Sequence, residues 1–254
     1  FRNIIINGDM SIAQRGTSQA SITTDGYFTV DRMRITQSSL GTWTQSQSTD
    51  VPTGQGFSNS LKMDCTTADA SPSAGDYFII THKIEGQNLQ YIKKGTSNAE
   101  SLTLSFWVKS NKTGTYIAEI EDIDNSRTIN KSYTISSAST WEKKTITFDG
   151  DTTGTLDNDN NASFHLNFWL GAGSNFTSGS LQTSWNSATN ANRAVGQVNL
   201  ADSTSNEWYV TGVMLESGSV ASSFETLPRD INLMRCKRYY ATNGRIYGIW
   251  YSVD

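Results

Sequence analysis

Two imidazoles, His82 and His165, are all that this 254-residue chain offers for proton transfer near neutral pH. Both fall on alternating apolar segments that read as strands. Neither belongs to a HExxH or HxH pattern and no CxxC occurs, so no zinc site is expected. A catalytic triad would have to recruit one of these two rings as its base. Each reads instead as a satisfied or solvent-facing strand histidine. No GxSxG elbow, phosphate loop or dinucleotide fingerprint is present.

Carboxylates gather at Glu119, Glu121, Asp122 and Asp124, and again at Asp149, Asp151, Asp157 and Asp159. A carboxylate pair hydrolyses glycosides when its members stand about 5 Å or about 6.5–9.5 Å apart. The sequence does not supply that distance. The pattern places both groups at strand ends or in turns, where Asp caps its own backbone. Residues 157–161 (DNDNN) open like a calcium loop, but the sixth position is Ala162 and the twelfth is Phe168. The sharp turn and the bidentate ligand of an EF-hand are both lost, and an Asn/Asp-rich hairpin loop is expected.

Seven tryptophans invite a sugar-binding reading, because an indole face stacks on the apolar face of a pyranose. Trp107, Trp141, Trp169 and Trp208 have apolar strand neighbours and are expected to pack. Trp43 and Trp185 are flanked by Thr, Ser, Gln and Asn. These two, with Asn186, are the expected glycan-facing residues.

Stepping from side chains to elements, period-2 alternation between Gly, Asn, Asp and Ser clusters dominates. Leu61, Met63 and Cys65 share one face, as do Phe78, Ile80, His82 and Ile84. The same holds for Leu102, Leu104 and Phe106, then Tyr116, Ala118 and Ile120, then Phe164, Leu166 and Phe168. Residues 141–148, Trp208 to Val213 and a last strand over 246–253 complete nine or ten strands. Long polar connections (66–76, 171–197) suit Greek-key or jelly-roll crossovers. No repeat of fixed period appears, which argues against a propeller or β-helix. Over 228–240 (PRDINLMRCKRYY) the period changes, and Pro228 with Asp230 signals a short helix. The expected organisation is a jelly-roll β-sandwich over 1–227, then a short helix and terminal strand over 228–254.

Apolar residues are 36% of the chain, charged residues 17% and aromatics 11%. Ser, Thr, Asn and Gly solvate the surface instead. The net charge of −4 and the absence of a basic patch weigh against nucleic acid. No apolar run approaches the ~20 residues that span a bilayer, and there is no secretory signal. The chain opens at Phe1 rather than Met, as expected of part of a longer or processed chain. Cys65 and Cys236 read as free buried thiols, with a disulfide between them left open.

Three stretches carry a resemblance. Residues 3–17 (NIIINGDMSIAQRGT) with 27–32 (YFTVDR), residues 197–224, and residues 224–240 ending RCKRYY resemble, in that order, a family of bacteriophage tail-fibre and virion structural proteins. Ala13 and Met33 stand where that family favours aromatics. The layout NGDM, SLKMDC, LTLSFWVKS and EWYVTGVMLE also resembles carbohydrate-binding modules of the jelly-roll type. In those modules the N-terminal turn and a late strand acid often hold a structural calcium. Here that strand reads Val-Thr-Gly-Val over 210–213, leaving Asn7, Asp9 and Glu216 as the candidate ligands.

The resemblance implies a non-enzymatic protein of the virion surface, assembled in the host cytoplasm. It implies a tail fibre or appendage, with a head fibre or capsid decoration and a glycan depolymerase as alternatives. It implies a homotrimer touching other virion proteins and host surface glycans. Arg229, Arg235, Lys237 and Arg238 are then candidates for pairing with a neighbouring copy, or else form a solvated helix face. No cofactor is implied beyond the calcium.

Overall fold

In a computed structural model describing residues 2–242, the chain folds as two facing antiparallel sheets of six strands each. The strands are β1 (Ser18–Ile22), β2 (Arg34–Ser38), β3 (Thr42–Ser48), β4 (Ser60–Thr67), β5 (Tyr77–Glu85) and β6 (Leu102–Ser110). They continue as β7 (Gly114–Asp122), β8 (Arg127–Ile135), β9 (Glu142–Phe148), β10 (Ala162–Ala172), β11 (Asn186–Ser187) and β12 (Glu207–Ser217). The first sheet runs β1-β3-β4-β12-β6-β9 and the second β11-β8-β7-β10-β5-β2. Apart from the hairpins β3–β4 and β7–β8 and the pair β10–β11, each strand is followed by one in the opposite sheet, which is the crossover pattern of a jelly roll. Two helices, α1 (Ser174–Thr177) and α2 (Arg229–Lys237), complete the fold.

The alternation read from sequence sets the inward faces. Phe78, Ile80 and Ile84 of β5, Leu104 and Phe106 of β6, and Phe164, Leu166 and Phe168 of β10 join one buried core. Aromatic rings bridge the layers: Phe106 meets Phe168 and Tyr133, each with centroids 5.1 Å apart. Such pairs add about 0.5–1.5 kcal/mol beyond area burial. His82 lies in this inward row. Burial, with the charges of Arg32 and Arg235, pushes its pKa well below the usual imidazole value, so it stays neutral.

Strands β1, β2, β3, β8 and β11 were not anticipated; β1, β2 and β3 carry few apolar residues at inward positions, whereas β8 does turn Ile129, Tyr133 and Ile135 into the core. β3 reads TWTQSQS, and its inward pair is Trp43 and Gln45. Gln45 is tolerated inside because its Oε1 accepts hydrogen bonds from the amide and hydroxyl of Thr29 at 3.0 and 2.9 Å.

Within 228–240 the expected short helix forms as α2, capped by Pro228 with Asp230 in the first turn. Arg235 and Lys237 lie in the last turn, where cations oppose the helix dipole. The helix buries Cys236 against Ile6 and Ile12. Both cysteines are free and buried, in separate apolar clusters. The strand expected over 246–253 lies outside the described residues. Among the described residues no helix is long and apolar enough to cross a membrane.

Candidate functional site

The polar half of the alternation builds a cleft on the outer face of the second sheet. Four neighbouring strands contribute outward side chains: Arg34 and Thr36 from β2, Thr81 and Lys83 from β5, His165 and Asn167 from β10, and Glu121 from β7. The pairings Arg34↔Thr81, Thr81↔Asn167 and His165↔Glu121 place them side by side. Residues 173–197 fold back over the same face and supply Phe176, Asn190 and Arg193 as a wall. The enclosed space is about 340 Å³.

Hydrogen bonds run across the floor. The Thr81 hydroxyl donates to Asn167 Oδ1 at 2.8 Å and lies 3.1 Å from the Thr36 hydroxyl, to which Arg34 also donates. Asn167 Nδ2 donates to Glu119 and Glu121 at 3.1 and 3.3 Å. Arg193 clamps both acids, at 2.7 and 3.0 Å to Glu119 and 2.9 Å to Glu121. At the other end, Ile79, Ile117, Trp169 and Ala194 form a small apolar cluster. Tyr77 and Phe176 pack edge-on over it with centroids 5.3 Å apart, and Tyr77 is half-buried. The cleft therefore combines a partly open aromatic ring with a row of donors and acceptors.

Its acids are not equivalent. Glu119 is 0% exposed, and its oxygens accept from Arg193, Asn167 and the Trp169 indole. That carboxylate orients the wall and touches no open space. Glu121 does line the cleft. Burial pulls its carboxyl pKa up, but the His165 hydrogen bond and the Arg193 charge outweigh burial and hold it below the ordinary value. Glu119 and Glu121 thus lie on one outward face in the last half of β7, in keeping with the strand-end placement expected of this group. Asp122 closes the strand and Asp124 caps the Asp157 amide at 2.9 Å.

The expected glycan-facing residues fare differently. Trp43 is wholly buried, stacked on Phe78 with centroids 4.2 Å apart, and its indole donates to the Leu40 carbonyl at 2.7 Å. Its polar neighbours are the outward half of β3, which is why it looked exposed. Trp185 is half-buried, lies on the Phe164 ring at 5.8 Å, and donates to the Asp149 carbonyl at 2.7 Å. Asn186 is exposed on the edge strand β11, paired with Thr128 of β8. None of the three lines the cleft. A usable signal was present in the outward positions of β2, β5, β7 and β10, which carry Arg, Lys, His, Asn and Glu beside Thr36 and Thr81.

The calcium candidates do not suit an ion. Asn7 Oδ1 accepts from the Ile12 amide at 2.9 Å. Asp9 Oδ1 accepts from Ser11 and Asn232, each at 3.0 Å. Both Glu216 oxygens accept from Ser222, at 2.7 and 2.8 Å. Hydrogen bonds join the N-terminal turn to the late strand. Asn3 donates to the Val213 carbonyl at 3.1 Å and accepts from the Leu215 amide at 3.1 Å. Gly8 sits so close that a Cβ there would meet the Val213 oxygen at 2.0 Å. Among the described residues no group of three or more His, Cys, Asp or Glu could hold a metal.

The basic residues of α2 turn largely toward their own chain. Arg238 pairs with Glu85 at 3.0 Å and Arg229 donates to the Ser11 carbonyl at 3.1 Å. Arg235 lines a second cavity, and Lys237 is exposed.

No family model matches the chain, and no curated protein matches its sequence. Among solved structures it is similar to the enzymatically active domain of a bacteriophage CBA120 tailspike protein, at 16% identity and a TM-score of 0.43 over 85% of this chain. The chain spans 21% of that protein's length. It is also similar to TmCBM61, solved with β-1,4-galactotriose, at 7% identity and a TM-score of 0.40 over 85% of this chain and 99% of the other. A third is the family 11 carbohydrate-binding module of a Clostridium thermocellum cellulosomal cellulase, at 13% identity and a TM-score of 0.35, covering 86% and 96% of the two chains.

Proposed function

We propose that this chain is a glycan-binding module of a phage particle, with the cleft over β2, β5, β10 and β7 as its sugar site. One observation carries the sugar reading. Hydrogen-bonding side chains from four adjacent strands line one groove that ends on the half-buried Tyr77 ring. Sugars need many directional partners for their hydroxyls and one apolar face for the ring. The cleft binds rather than hydrolyses, because the acid nearest Glu121 on the same strand face is sealed beneath Arg193.

The particle location is supported by the three sequence stretches that resemble phage virion proteins. They come together in space: the first stretch meets the second where Asn3 bonds Val213 and Leu215, and meets the last where Gln14, Arg15 and Arg32 contact Tyr239 and Tyr240. In a homotrimer, three copies of the cleft would multiply weak single-site affinity by avidity.

A glycan array probed with the purified protein tests the sugar site. The expected result is a set of bound glycans whose affinity falls about tenfold, or ~1.4 kcal/mol, in Tyr77→Ala with little change in melting temperature. A silent array, or binding untouched by Tyr77→Ala, overturns the reading. Electron microscopy of labelled particles then separates tail from head.

A further inference from the structure

The cations and carboxylates in and beside the cleft do not pair one to one. Arg34 is paired with Asp25 at 2.9 Å, and Arg193 with Glu119 and Glu121 at 2.7 and 2.9 Å. Among the described residues the Lys83 ammonium has neither an ion pair nor a hydrogen bond, although its side chain lines the cleft. Lys83 also lines the adjoining cavity of about 500 Å³, so it stands where the two spaces meet. Arg32 and Arg238 line that second cavity, and the carboxylate among its described lining residues, Glu85, is already held by Arg238 at 3.0 Å. Arg32 is fixed beside Lys83 by donating to its backbone carbonyl.

A partly buried ammonium between two guanidinium groups is in an unfavourable field. Burial lowers its pKa, and the charges of Arg34 and Arg32 lower it further, with Asp25 opposing. An anion arriving at this point would gain from Lys83 while displacing no partner among the described residues.

We propose that the glycan taken by the cleft carries an anionic substituent, a carboxylate or a sulfate, and that this group seats at Lys83 between the two cavities. This rests on the glycan-binding reading above and names the class of sugar. The cleft side presents hydroxyl partners for the ring, and the Lys83 side presents uncompensated positive charge for the acid group. A uronic-acid polymer and a sulfated polymer share that chemistry.

The test uses the whole chain on an array of uronic-acid, sulfated and neutral glycans, followed by titration calorimetry with an oligogalacturonate and its carboxyl-reduced neutral counterpart. The anionic ligand is expected to bind about tenfold tighter at low ionic strength. The preference should shrink as salt screens it. Lys83→Met should reduce the preference to within about threefold, and Lys83→Arg should keep it. Preference for sulfated over carboxylated glycans would identify the source of the charge. Equal affinity for anionic and neutral glycans, or a preference that survives Lys83→Met, overturns the inference and leaves the sugar site standing. Silence toward every glycan overturns the sugar site and this inference with it.

Discussion

Lys94 shows how one side chain can hold a region together. Its ammonium is enclosed by Asp122 and Asp151 carboxylates at 2.5 and 3.1 Å and by the Thr153 and Gly154 carbonyls, each at 2.8 Å. Arg127 completes the network by binding Asp151 at 2.7 and 3.0 Å. The side chains of Lys94, Asp122 and Asp151 are almost fully buried, so removing one partner leaves charge without water or counter-ion. Lys94→Met is expected to destabilise by about 3–5 kcal/mol in urea denaturation. Adding Asp122→Asn should recover part of that loss, because the two residues share one interaction.

Among the elements, α2 is bound to the N-terminal segment by a specific lock. Asp31 accepts from the Gln14 amide at 3.1 Å and its side chain at 2.5 Å, and Arg15 lies 3.6 Å from the same carboxylate. The Arg15 guanidinium covers the Tyr240 ring at 3.4 Å and Arg32 covers Tyr239 at 3.5 Å. Cation–π contacts contribute about 0.5–2 kcal/mol each, more when desolvated. Cys236 sits beneath this lock, and burial pushes its thiol up to about 12. It should therefore resist alkylation at pH 8, as should Cys65, whose thiol burial pushes to about 11. Tyr239→Ala is expected to raise the labelling rate of Cys236 about tenfold through local opening of α2. Cys65, in the central core, should stay protected. Mass spectrometry of labelled peptides reads both, and equal exposure of the two would mean global unfolding instead.

At the scale of the whole molecule, acid is the condition to which the sandwich should be most sensitive. Burial raises the carboxyl pKa of Asp50, Glu85, Glu121, Glu142, Asp151 and Glu225, yet hydrogen bonds and nearby positive charge outweigh it and hold each below its ordinary value. A group whose folded pKa lies below its unfolded one stabilises the fold above the unfolded value. That contribution is lost as pH falls through the folded value. Calorimetric melting temperatures should accordingly begin to decline below about pH 6.5, where His82 takes up a proton in the unfolded chain but not in the folded one, and fall steeply below about pH 4, where the carboxylates add to the loss. A melting temperature unchanged at about pH 3 would show that these pairs add nothing net.

The alternation of residues such as Phe78, Ile80, His82 and Ile84 settled which faces turn inward, and the change of period after Pro228 announced α2. Both are local properties, since side chains point to opposite sides of a strand and to one side of a helix every three or four residues. What remained hidden was nonlocal. Trp43 is buried because the partner strand β4 and the facing Phe78 cover it, not because of its own neighbours in the chain. The cleft exists because jelly-roll crossovers set β2, β5, β10 and β7 side by side, gathering residues from 34 to 167 onto one face. The wall needs Arg193 to return from the long segment after β10 and find Glu119. Strand order and loop return depend on the packing of the whole chain, so the polar residues were visible in the sequence while their convergence was decided only by the tertiary fold.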